Sequence, residues 1–507
     1  MRPTINQLIG TDYDFVVIGA GINGAVSAAA LSSAGLRVLL VDKGDYAGFT
    51  SQESSNMVWG GIKYLQSLEF ALVFKLCRSR ARLMRNYPNR IRQIGFLAAI
   101  GDDAPANLIA IWMGSLLYWF IGLFSTKAPK VFDRTATNRY EPGLTGQPIG
   151  GSVQYFDGLL VDNDARFVWD FVSRAKGFGA VTRNYTQLTS ATRQNGSWSM
   201  QLKDAVTGET ANVLSKALIN AAGPFAMDVS DLLKTEVGAQ LVFSKGIHLI
   251  VPRLTEDDRV LAFWDEQGRL FYVLPMHDRS VIGTTDTRVD SPLTEVTDED
   301  REFVLRQINK SLTLAQPLTK DDIIAERCGV RPLVATTSRQ RKNAAEIDWH
   351  KMSRKHVIST DKPNAAVSIY GGKLTDCINV GQEVLTEAGR LGFKLNHKKW
   401  YGESKQVSAN QVAAAMRAKV GDEPWVRLVA AGLHRRQGAG AIKLIEAADS
   451  TQLAPVFEGL DFCRAELKFI AVQEDVVTPE DLLRRRTPLA LIRSAEDLHE
   501  AGLDRLV

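Results

Sequence analysis

The sequence has few cysteines and few histidines for its 507 residues, and each scarcity excludes a class of site. The four cysteines are scattered and form no CxxC pair, so reduced structural thiols of a cytosolic protein are favoured over a disulfide framework. The seven histidines include no HExxH sequence and no cluster at metal-ligand spacing, so no metal site is expected. The cysteines are Cys77, Cys328, Cys377 and Cys463.

The chain also has little excess of one sign of charge over the other. The net charge of +4 is small for this length, and the sequence has no arginine-rich tract or aromatic-basic repeat, so no nucleic-acid partner is expected. The first 14 residues lack the hydrophobic stretch of a signal peptide. The length and a hydrophobic content of 45% predict a globular protein of two or three domains.

The stretch Tyr13–Asp42 has the order strand, glycine turn, helix, strand. In such a unit Gly19 allows a tight turn, Gly21 lets the backbone approach a pyrophosphate, and Gly24 lets the helix pack on the strand. Asp42 stands at the end of the second strand, about 20 residues further on, where an acid binds ribose hydroxyls. The pattern predicts a dinucleotide site, but it does not separate FAD from NAD.

The next segment, Gly44–Pro88, begins with small hydroxyl residues, passes through Gly60-Gly61 and becomes an amphipathic helix from about Tyr64. Small residues beside a glycine pair suit a loop that wraps closely around a ligand. A surface loop followed by an ordinary helix is the alternative, and the segment alone does not exclude it. The small hydroxyl residues are Thr50, Ser51, Ser54 and Ser55.

The most apolar run is Ala104–Ser125, which carries no charge over about 20 residues, the length of a membrane-spanning helix. A single crossing here would place the first glycine motif and the later α/β segments on opposite sides of the bilayer. The run is therefore either a buried helix or a helix in the membrane interface. Its aromatic residues and flanking cations favour monotopic attachment. These are Trp112, Tyr118 and Trp119, with Arg90, Arg92, Lys127 and Lys130.

Residues 150–225 resume an α/β pattern, with hairpin signals at Asn195-Gly196 and Thr207-Gly208. This part ends in a buried strand and a small-residue turn, Lys216–Pro224, that would approach a cofactor. Residues 236–335 are rich in strands and predict an antiparallel sheet laid over the first domain.

Residues 364–390 repeat the pattern of the opening. A strand ends in Gly371-Gly372, and a helix begins near Thr375, which offers a second helix N-terminus to an anionic or electron-rich ligand. The chain is therefore expected to be an α/β protein with an inserted sheet domain and a helical end. The predicted domains are a dinucleotide-binding domain (1–75, 140–235 and 345–395), a helical insertion (76–139), an antiparallel-sheet substrate domain (236–344) and a C-terminal helical domain (396–507).

Together these motifs resemble the FAD-dependent oxidoreductases of the D-amino-acid oxidase type, whose dinucleotide fold is also interrupted by a strand-rich domain. The closer resemblance is to the aerobic, membrane-associated glycerol-3-phosphate dehydrogenase family, and it covers nearly the whole chain in the family's order. The segments that carry it are VVIGAGINGA, the T-S-x-x-S-S-x-x-x-x-G-G-x-x-Y-L pattern of Thr50–Leu65, FDGLLVDNDAR, ALINAAGP, SKGIHLIVP, VIGTTD, CGVRPL, SRKHVI, YGGKLTD and AELKFIAVQEDVVTPEDLLRRRTPLAL.

The resemblance implies an activity, the FAD-dependent oxidation of sn-glycerol 3-phosphate to dihydroxyacetone phosphate. Hydride would pass to flavin N5 and electrons to a quinone at the cytoplasmic face of the inner membrane. Two alternatives stay open: the same fold acting on another phosphorylated or carboxylate-bearing hydroxy or amino substrate, with oxygen as acceptor, and a flavin-binding scaffold without turnover. A homodimer is also an open alternative.

The resemblance also implies which residues bind the cofactor. The glycine motif with its acid holds the ADP half of FAD, the hydroxyl loop lines the flavin side, and the two later turns approach the ring. These residues are Gly19, Gly21, Gly24, Asp42, Thr50, Ser51, Ser54, Ser55, Ala222, Gly223, Gly371, Gly372, Lys373 and Leu374.

On the substrate side, the resemblance places His248 close to the reacting carbon, and an unperturbed histidine pKa suits a base that takes the hydroxyl proton. Arg331 and Arg354 fall on arginines that hold the substrate phosphate, which fits a dianion that needs bidentate donors. Tyr64 falls near that phosphate. Lys373 would stabilise a developing alkoxide or the reduced flavin.

The second motif departs from the family pattern. The family reads SSKLIHGGLRYLE, whereas this chain reads SSNMVWGGIKYLQ. Trp59 stands in place of histidine, Asn56 in place of lysine, and Lys63 in place of arginine. Lys63 is still expected to bind substrate, because it keeps the charge although it loses the planar fork. We therefore expect a retained anionic group on the substrate and an altered polyol end.

Overall fold

The structure is a computed structural model that describes residues 2–235, 239–265, 268–335, 355–396, 398–403 and 406–507. The described residues form two sheets, one of eight strands and one of ten. The strands are β1 (Asp12–Ile18), β2 (Val38–Val41), β3 (Met57–Val58), β4 (Ile91–Gly101), β5 (Lys130–Asp133), β6 (Ile149–Leu160), β7 (Val181–Arg183), β8 (Thr186–Gln194), β9 (Ser197–Asp204), β10 (Thr210–Asn220), β11 (Gln240–Pro252), β12 (Val260–Trp264), β13 (Leu270–Met276), β14 (Arg279–Gly283), β15 (Thr287–Val289), β16 (Ala325–Ala335), β17 (Val357–Asp361) and β18 (Ala366–Tyr370).

Helices cover the first sheet, lie beside the second and build the C-terminal part. They are α1 (Ile22–Ser33), α2 (Phe70–Asn86), α3 (Leu108–Ile121), α4 (Arg134–Tyr140), α5 (Asp164–Gly177), α6 (Ala226–Leu233), α7 (Asp298–Ser311), α8 (Cys377–Arg390), α9 (Ala409–Val420), α10 (Val426–Gln437), α11 (Gly440–Ala447), α12 (Arg464–Gln473), α13 (Leu489–Ile492) and α14 (Ala495–Glu500), with a π-helical turn at Asp481–Arg486.

The first sheet has the order β17-β18-β10-β1-β2-β7, and the four pairs from β18 to β7 are parallel. Its central strands are continuous apolar runs because helices α1, α5 and α8 bury one face and the β8–β9 hairpin packs on the other. The strand–helix–strand order predicted for Tyr13–Asp42 is confirmed, and so are the two hairpins.

The register of the first sheet decides where a ligand can bind. Ile18 of β1 lies beside Asn220 of β10, which lies beside Ser368 of β18. Because these strands are parallel, the turns that follow them leave the sheet at one edge. The carboxyl edge of a parallel sheet is where open α/β folds bind their ligands.

The second sheet has the order β15-β11-β14-β13-β12-β4-β6-β3, with β16 beside β11 and β5 beside β6. The prediction that residues 76–139 form a helical insertion is wrong over Ile91–Gly101. This segment is strand β4 and pairs along its length with β6. A short apolar run fits a helix or a strand equally well, and the pairing with a strand some 50 residues later decides between them.

The apolar run at 104–125 contains the 14-residue helix α3. Tyr118 and Ser115 face inward, whereas Ile109, Met113 and Phe120 are more than half exposed. None of the described helices combines the length and the apolar character that a membrane crossing needs. One side of α3 is thus an apolar surface that the described residues leave uncovered.

The C-terminal part is helical, as predicted, and it returns to the first domain. Arg485 and Arg486 of the π-helical turn both donate to the buried carboxylate of Asp45, three residues after Asp42. Burial alone would raise the pKa of Asp45, but the two guanidinium groups outweigh it and lower that pKa. The last helices therefore brace the loop that follows β2.

Candidate functional site

A cavity of about 600 Å³ lies at the carboxyl edge of the first sheet. It is bounded by the turns after β1, β2, β10 and β18, which the register brings together, and by the N-terminus of α1. We call it the first cavity. The predicted residues that line it are Gly19, Gly21, Asp42, Thr50, Ser51, Ala222, Gly223, Gly371 and Gly372.

Two glycines of the opening motif are required by close packing. Gly19 has φ +95°, and a Cβ atom there would lie 2.6 Å from the carbonyl oxygen of Ala221. A Cβ atom on Gly24 would overlap the carbonyl oxygen of Gly19, so α1 approaches the turn too closely for any side chain. Gly24 does not line the cavity. It acts through packing, since it lets the helix N-terminus reach the cavity.

Asp42 closes one end of the first cavity. Its Oδ2 accepts a hydrogen bond from the backbone nitrogen of Ala20 at 2.6 Å, and its Oδ1 accepts one from Gly44 at 2.9 Å. Burial raises the pKa of Asp42 to about 6 despite these two hydrogen bonds, with a smaller contribution from Asp45. The carboxylate thus ties the glycine turn to the loop after β2.

One polar atom of the first cavity lacks a partner. Asn23, in the first turn of α1, donates from Nδ2 to the carbonyl oxygen of Gly371 at 2.9 Å. Its buried Oδ1 has no hydrogen-bond partner among the described residues. A buried polar atom of this kind is normally satisfied, so its position beside Gly372 indicates a ligand group there.

A second cavity of about 320 Å³ continues from the first, and both are lined by Thr50, Ser51 and Gly372. One extended ligand can therefore occupy both. The other predicted residues that line the second cavity are Ser54, Ser55, Lys63, Tyr64, Arg331, Lys373 and Leu374.

The second cavity is strongly cationic. Among the described residues, five cationic side chains and one carboxylate, Asp286, line it. One of the five, Arg269, also pairs with Asp265 at 2.9 Å. The guanidinium of Arg331 donates to Thr284 Oγ1 at 3.1 Å and lies 3.8 Å from Asp286 Oδ1. Such a surface attracts an anion. The five are Lys63, Arg269, Arg331, Lys355 and Lys373.

Lys373 lies against two aromatic rings. Its Nζ donates to the hydroxyl of Tyr64 and lies 4.1 Å from the centroid of that ring. The ring centroid of Trp59 lies 5.7 Å from Nζ of Lys373 and 5.9 Å from the ring centroid of Tyr64. These contacts hold the ammonium at the wall of the second cavity.

His248 lines neither cavity. It lies in β11 opposite Gly283, the residue before Thr284, and its side chain is buried. Burial, with Arg327 and Arg331 nearby, lowers its pKa to about 3, so the ring is neutral. The neutral ring is the form that can accept a proton, but it does not line either cavity. The role of His248 as a catalytic base therefore stays a prediction.

Sequence reasoning missed several residues of the site, and one predicted residue, Arg354, lies outside the described residues. Lys43 lies 3.3 Å from the ring centroid of Phe225, which forms part of the wall of the first cavity. Arg269 and Lys355 add charge to the second cavity. No local pattern identifies these residues, because an isolated lysine or arginine normally lies at the surface.

The sequence profile of the family described as FAD dependent oxidoreductase matches residues 14–348. The chain belongs to this family. FAD is therefore the cofactor of this oxidoreductase, and the residues present fit it: a glycine turn, a helix N-terminus, an acid and an unpartnered amide oxygen surround the first cavity.

The FAD-dependent oxidoreductase has relatives that match nearly its whole length. It is 28% identical over 500 residues to "Glycerol-3-phosphate dehydrogenase 2" of Mycobacterium tuberculosis, which covers 95% of this chain and 82% of the relative. It is 28% identical over 503 residues to the glycerol-3-phosphate dehydrogenase of Pseudomonas tolaasii, with 96% and 93% covered. The human mitochondrial enzyme of that name is 25% identical, with 96% and 69% covered.

Solved structures show the same fold. Glycerol-3-phosphate dehydrogenase from Bacillus halodurans, complexed with FAD, superposes with a TM-score of 0.74 at 23% identity and covers 99% of this oxidoreductase and 91% of that chain. L-alpha-glycerophosphate oxidase from Mycoplasma pneumoniae, with FAD bound, has a TM-score of 0.58 at 18% identity and covers 78% and 98%.

Proposed function

We propose that the protein oxidises sn-glycerol 3-phosphate to dihydroxyacetone phosphate. The observation that carries this proposal is the second cavity, directly beside the cavity for FAD. In the part of the chain that the structure describes, five cationic side chains and one carboxylate line it. A phosphate dianion suits such a surface because it takes several charge-assisted hydrogen bonds at once. The relatives named glycerol-3-phosphate dehydrogenase support the choice of substrate.

Arg331 is the proposed main phosphate anchor. Its planar guanidinium lies at the cavity wall, held by Thr284, and it can donate two parallel hydrogen bonds to a phosphate. Lys355, Arg269 and Lys63 add charge around the same space. Arg354, which the sequence adds to this set, belongs to the same proposal.

Bound FAD supplies the hydride acceptor, its N5 atom. The chain's own part is to hold the alcohol and to stabilise the charge that develops on its oxygen. Lys373 is proposed for this task, because its ammonium is held against Tyr64 at the second cavity, next to the turn Gly371-Gly372.

The hydroxyl proton also needs an acceptor, and we propose His248 for it. Its ring is neutral because burial and two arginines depress its pKa. A bound phosphate would offset the charge of Arg331 and so raise the pKa of His248. The residue after its strand partner Gly283 is Thr284, which lines the second cavity.

A second candidate keeps the fold and changes the substrate or the acceptor. Trp59 lines the second cavity where the family pattern has histidine, and Lys63 replaces arginine. Another phosphorylated or carboxylate-bearing hydroxy or amino substrate, with oxygen as acceptor, fits these changes. We include oxygen as the acceptor in this candidate because the fold is similar to that of the Mycoplasma oxidase.

The flavin spectrum decides between the candidates. The FAD-loaded protein is titrated with sn-glycerol 3-phosphate under nitrogen, and bleaching of the oxidised flavin band is the expected result. If this compound leaves the band unchanged while another anionic alcohol or amino acid bleaches it, the second candidate holds. If no compound of a broad panel bleaches it, a flavin-binding scaffold without turnover is the remaining interpretation. Oxygen and a quinone analogue are then compared as acceptors for the reduced protein.

We also propose peripheral attachment to an anionic membrane surface at the cytoplasmic face of the inner membrane, with membrane quinone as acceptor. Ile109, Met113 and Phe120 present the exposed side of α3. Beside it, a groove between α2 and the end of α3 carries the exposed side chains of Arg78 and Arg85. Exposed apolar residues next to cations are typical of interfacial attachment.

Vesicle sedimentation tests the attachment. Binding is expected to vesicles that contain phosphatidylglycerol and to be weaker to pure phosphatidylcholine. The double variant Ile109→Asp/Phe120→Asp should lose binding and keep its FAD. Val206→Asp is the matched control, because Val206 is similarly exposed in the turn between β9 and β10. Equal binding of the double variant and the control would contradict the role of α3.

A further inference from the structure

The turn Gly371–Lys373 forms a wall of both cavities. Gly371 and Gly372 line the first cavity, and Gly372 and Lys373 line the second. The two glycines have φ values of +63° and +110°, which other residues rarely adopt. The shape of this turn therefore sets both the fit of FAD and the direction in which Lys373 points.

His356 lies directly behind the turn. A Cβ atom on Gly372 would lie 3.3 Å from the Cβ atom of His356. His356 precedes β17, and the next residue, Val357, pairs with Tyr370, the last residue before the turn. The side chain is buried and belongs to the lining of neither cavity. Its contacts thus act on the turn from the side opposite the ligand.

Two carboxylates hold the ring of His356. Its Nδ1 lies 2.9 Å from Asp376 Oδ2, and its Nε2 lies 2.9 Å from Glu383 Oε2. The Nε2 contact is a hydrogen bond, whereas the Nδ1 contact is a close ion pair without hydrogen-bond geometry. Two carboxylates this close to the ring favour the imidazolium over the neutral imidazole. Burial alone would lower the pKa of His356, but the two carboxylates outweigh it and raise that pKa to about 9. The ring is therefore charged at neutral pH.

A further charged group among the described residues, Lys75 of α2, contacts both carboxylates. Lys75 Nζ lies 3.3 Å from Asp376 and 3.4 Å from Glu383. Ser79 of α2 and Asn379 of α8 also donate to Asp376. The imidazolium and Lys75 together balance the two carboxylates. Loss of the imidazole proton would leave an excess negative charge and a lone pair that faces a carboxylate.

We propose that His356 is a positioning residue, whose imidazolium ties the start of β17 to α8 across the back of the Gly371–Lys373 turn and holds that turn in the shape that FAD and Lys373 require. Deprotonation breaks one of the two contacts and releases the turn. FAD affinity therefore falls as pH rises through the pKa of His356. This inference rests on FAD binding in the first cavity and is independent of the substrate in the proposed function.

The dissociation constant of FAD measures this effect without turnover. It is determined from flavin fluorescence between pH 6.5 and 10 for the wild type, His356→Gln, Glu383→Gln and Glu387→Gln. Because the pKa of His356 is raised, the contribution of its imidazolium to FAD affinity is complete below about pH 6.5. It is lost as the pH rises through about 9. The wild type is expected to bind FAD about tenfold more weakly at pH 10 than at pH 7.

The variants separate positioning from general damage. His356→Gln should bind FAD about tenfold more weakly at pH 7 and show no alkaline step. Glu383→Gln should keep the step but move it down by about one pH unit, because one carboxylate no longer favours the charged ring. Glu387→Gln is the matched control one turn along α8, where the carboxylate contacts Thr360 and Arg390, and it should behave as the wild type.

Two outcomes would overturn the proposal: a wild-type affinity that is constant up to pH 10, or an alkaline step at the same pH in Glu383→Gln and the wild type. Glu383→Gln carries the test if His356→Gln fails to fold, because the Glu383 side chain is 46% exposed. An alkaline step in FAD affinity with no flavin reduction by glycerol 3-phosphate would contradict the proposed function alone and support the role of His356.

Discussion

The guanidinium of Arg486 donates to both carboxylate oxygens of Asp45, at 2.7 and 2.9 Å, although 441 residues separate the two in the chain. Both side chains are fully buried. The pair connects the helical C-terminal part to the loop that carries Asp42, at one end of the cofactor cavity. Its loss should therefore affect stability and FAD binding together.

Arg486→Met is expected to destabilise the protein by about 3–5 kcal/mol, because it leaves the Asp45 carboxylate buried with fewer partners. Urea unfolding of the FAD-loaded protein measures the change. Arg505→Met is the control, since Arg505 is exposed and its guanidinium contacts the exposed His499, so the change should cost less than about 0.5 kcal/mol. A similar loss in both variants would contradict a special role for the buried pair.

Gly24→Ala should remove FAD and lower the melting temperature. The added methyl group overlaps the carbonyl oxygen of Gly19 and pushes α1 away from the glycine turn, at a cost of about 1–3 kcal/mol. Gly177→Ala is a matched change at the end of α5, where a Cβ atom meets nothing within 4 Å, and it should be harmless. The ratio of flavin to protein absorbance after purification reports the difference. Full flavin content in Gly24→Ala would refute the packing role.

FAD affinity should also fall in acid, through Asp42. The pKa of this carboxyl is raised to about 6, so it is ionised above that pH and protonated below it. The ionised form accepts hydrogen bonds from ribose hydroxyls. The contribution of Asp42 to FAD affinity should therefore be fully present well above pH 6 and decline as the pH falls through 6. The FAD dissociation constant between pH 5 and 8 tests this. Asp42→Asn should bind weakly throughout and lack the acid step.

Arg331→Lys should raise KM for glycerol 3-phosphate about tenfold or more and change kcat less. The charge is kept, but the paired hydrogen bonds of the planar guanidinium are lost. Steady-state kinetics with an artificial electron acceptor give both constants. Lys362→Gln, an exposed change in the turn between β17 and β18, is the control. An unchanged KM in Arg331→Lys would place the phosphate elsewhere in the second cavity.

Restoring the family residues should raise activity with glycerol 3-phosphate. The double variant Trp59→His/Lys63→Arg recovers a smaller ring whose nitrogens can accept as well as donate a hydrogen bond, and a planar cation beside the second cavity. A gain of about tenfold in kcat/KM is expected. The two single variants show which position limits turnover. No gain in any of the three would argue against these positions as the cause of altered specificity.

The sequence alone predicted the parts of the fold that depend on local patterns. The unit β1–α1–β2 followed from the spacing of Gly19, Gly21 and Gly24, because close packing leaves no room for other residues at two of them. The strand before Gly371 and the helix after it also followed from a local pattern, an apolar run that ends in a glycine pair. Family motifs, and not residue patterns, identified Arg331.

The remaining features depend on contacts between distant residues. Ile91–Gly101 is a strand because it pairs with β6, a contact that its own apolar sequence does not reveal. Lys355 and Arg269 look like ordinary surface charges until the fold brings them to one cavity. The role proposed for His356 depends on Asp376, just before α8, and Glu383, within α8. His248 does not line the second cavity, although the family resemblance placed it at the reacting carbon.

The parallel pairing of β1, β10 and β18 also bears on how the protein is made. Ile18 leaves the ribosome early, but the wall that faces it across the cofactor cavity ends at Gly372 and is synthesised far later. A nascent chain that has only its first glycine turn offers FAD one side of a site. The complete set of residues that lines the cavity therefore exists only after the chain has been synthesised as far as Gly372.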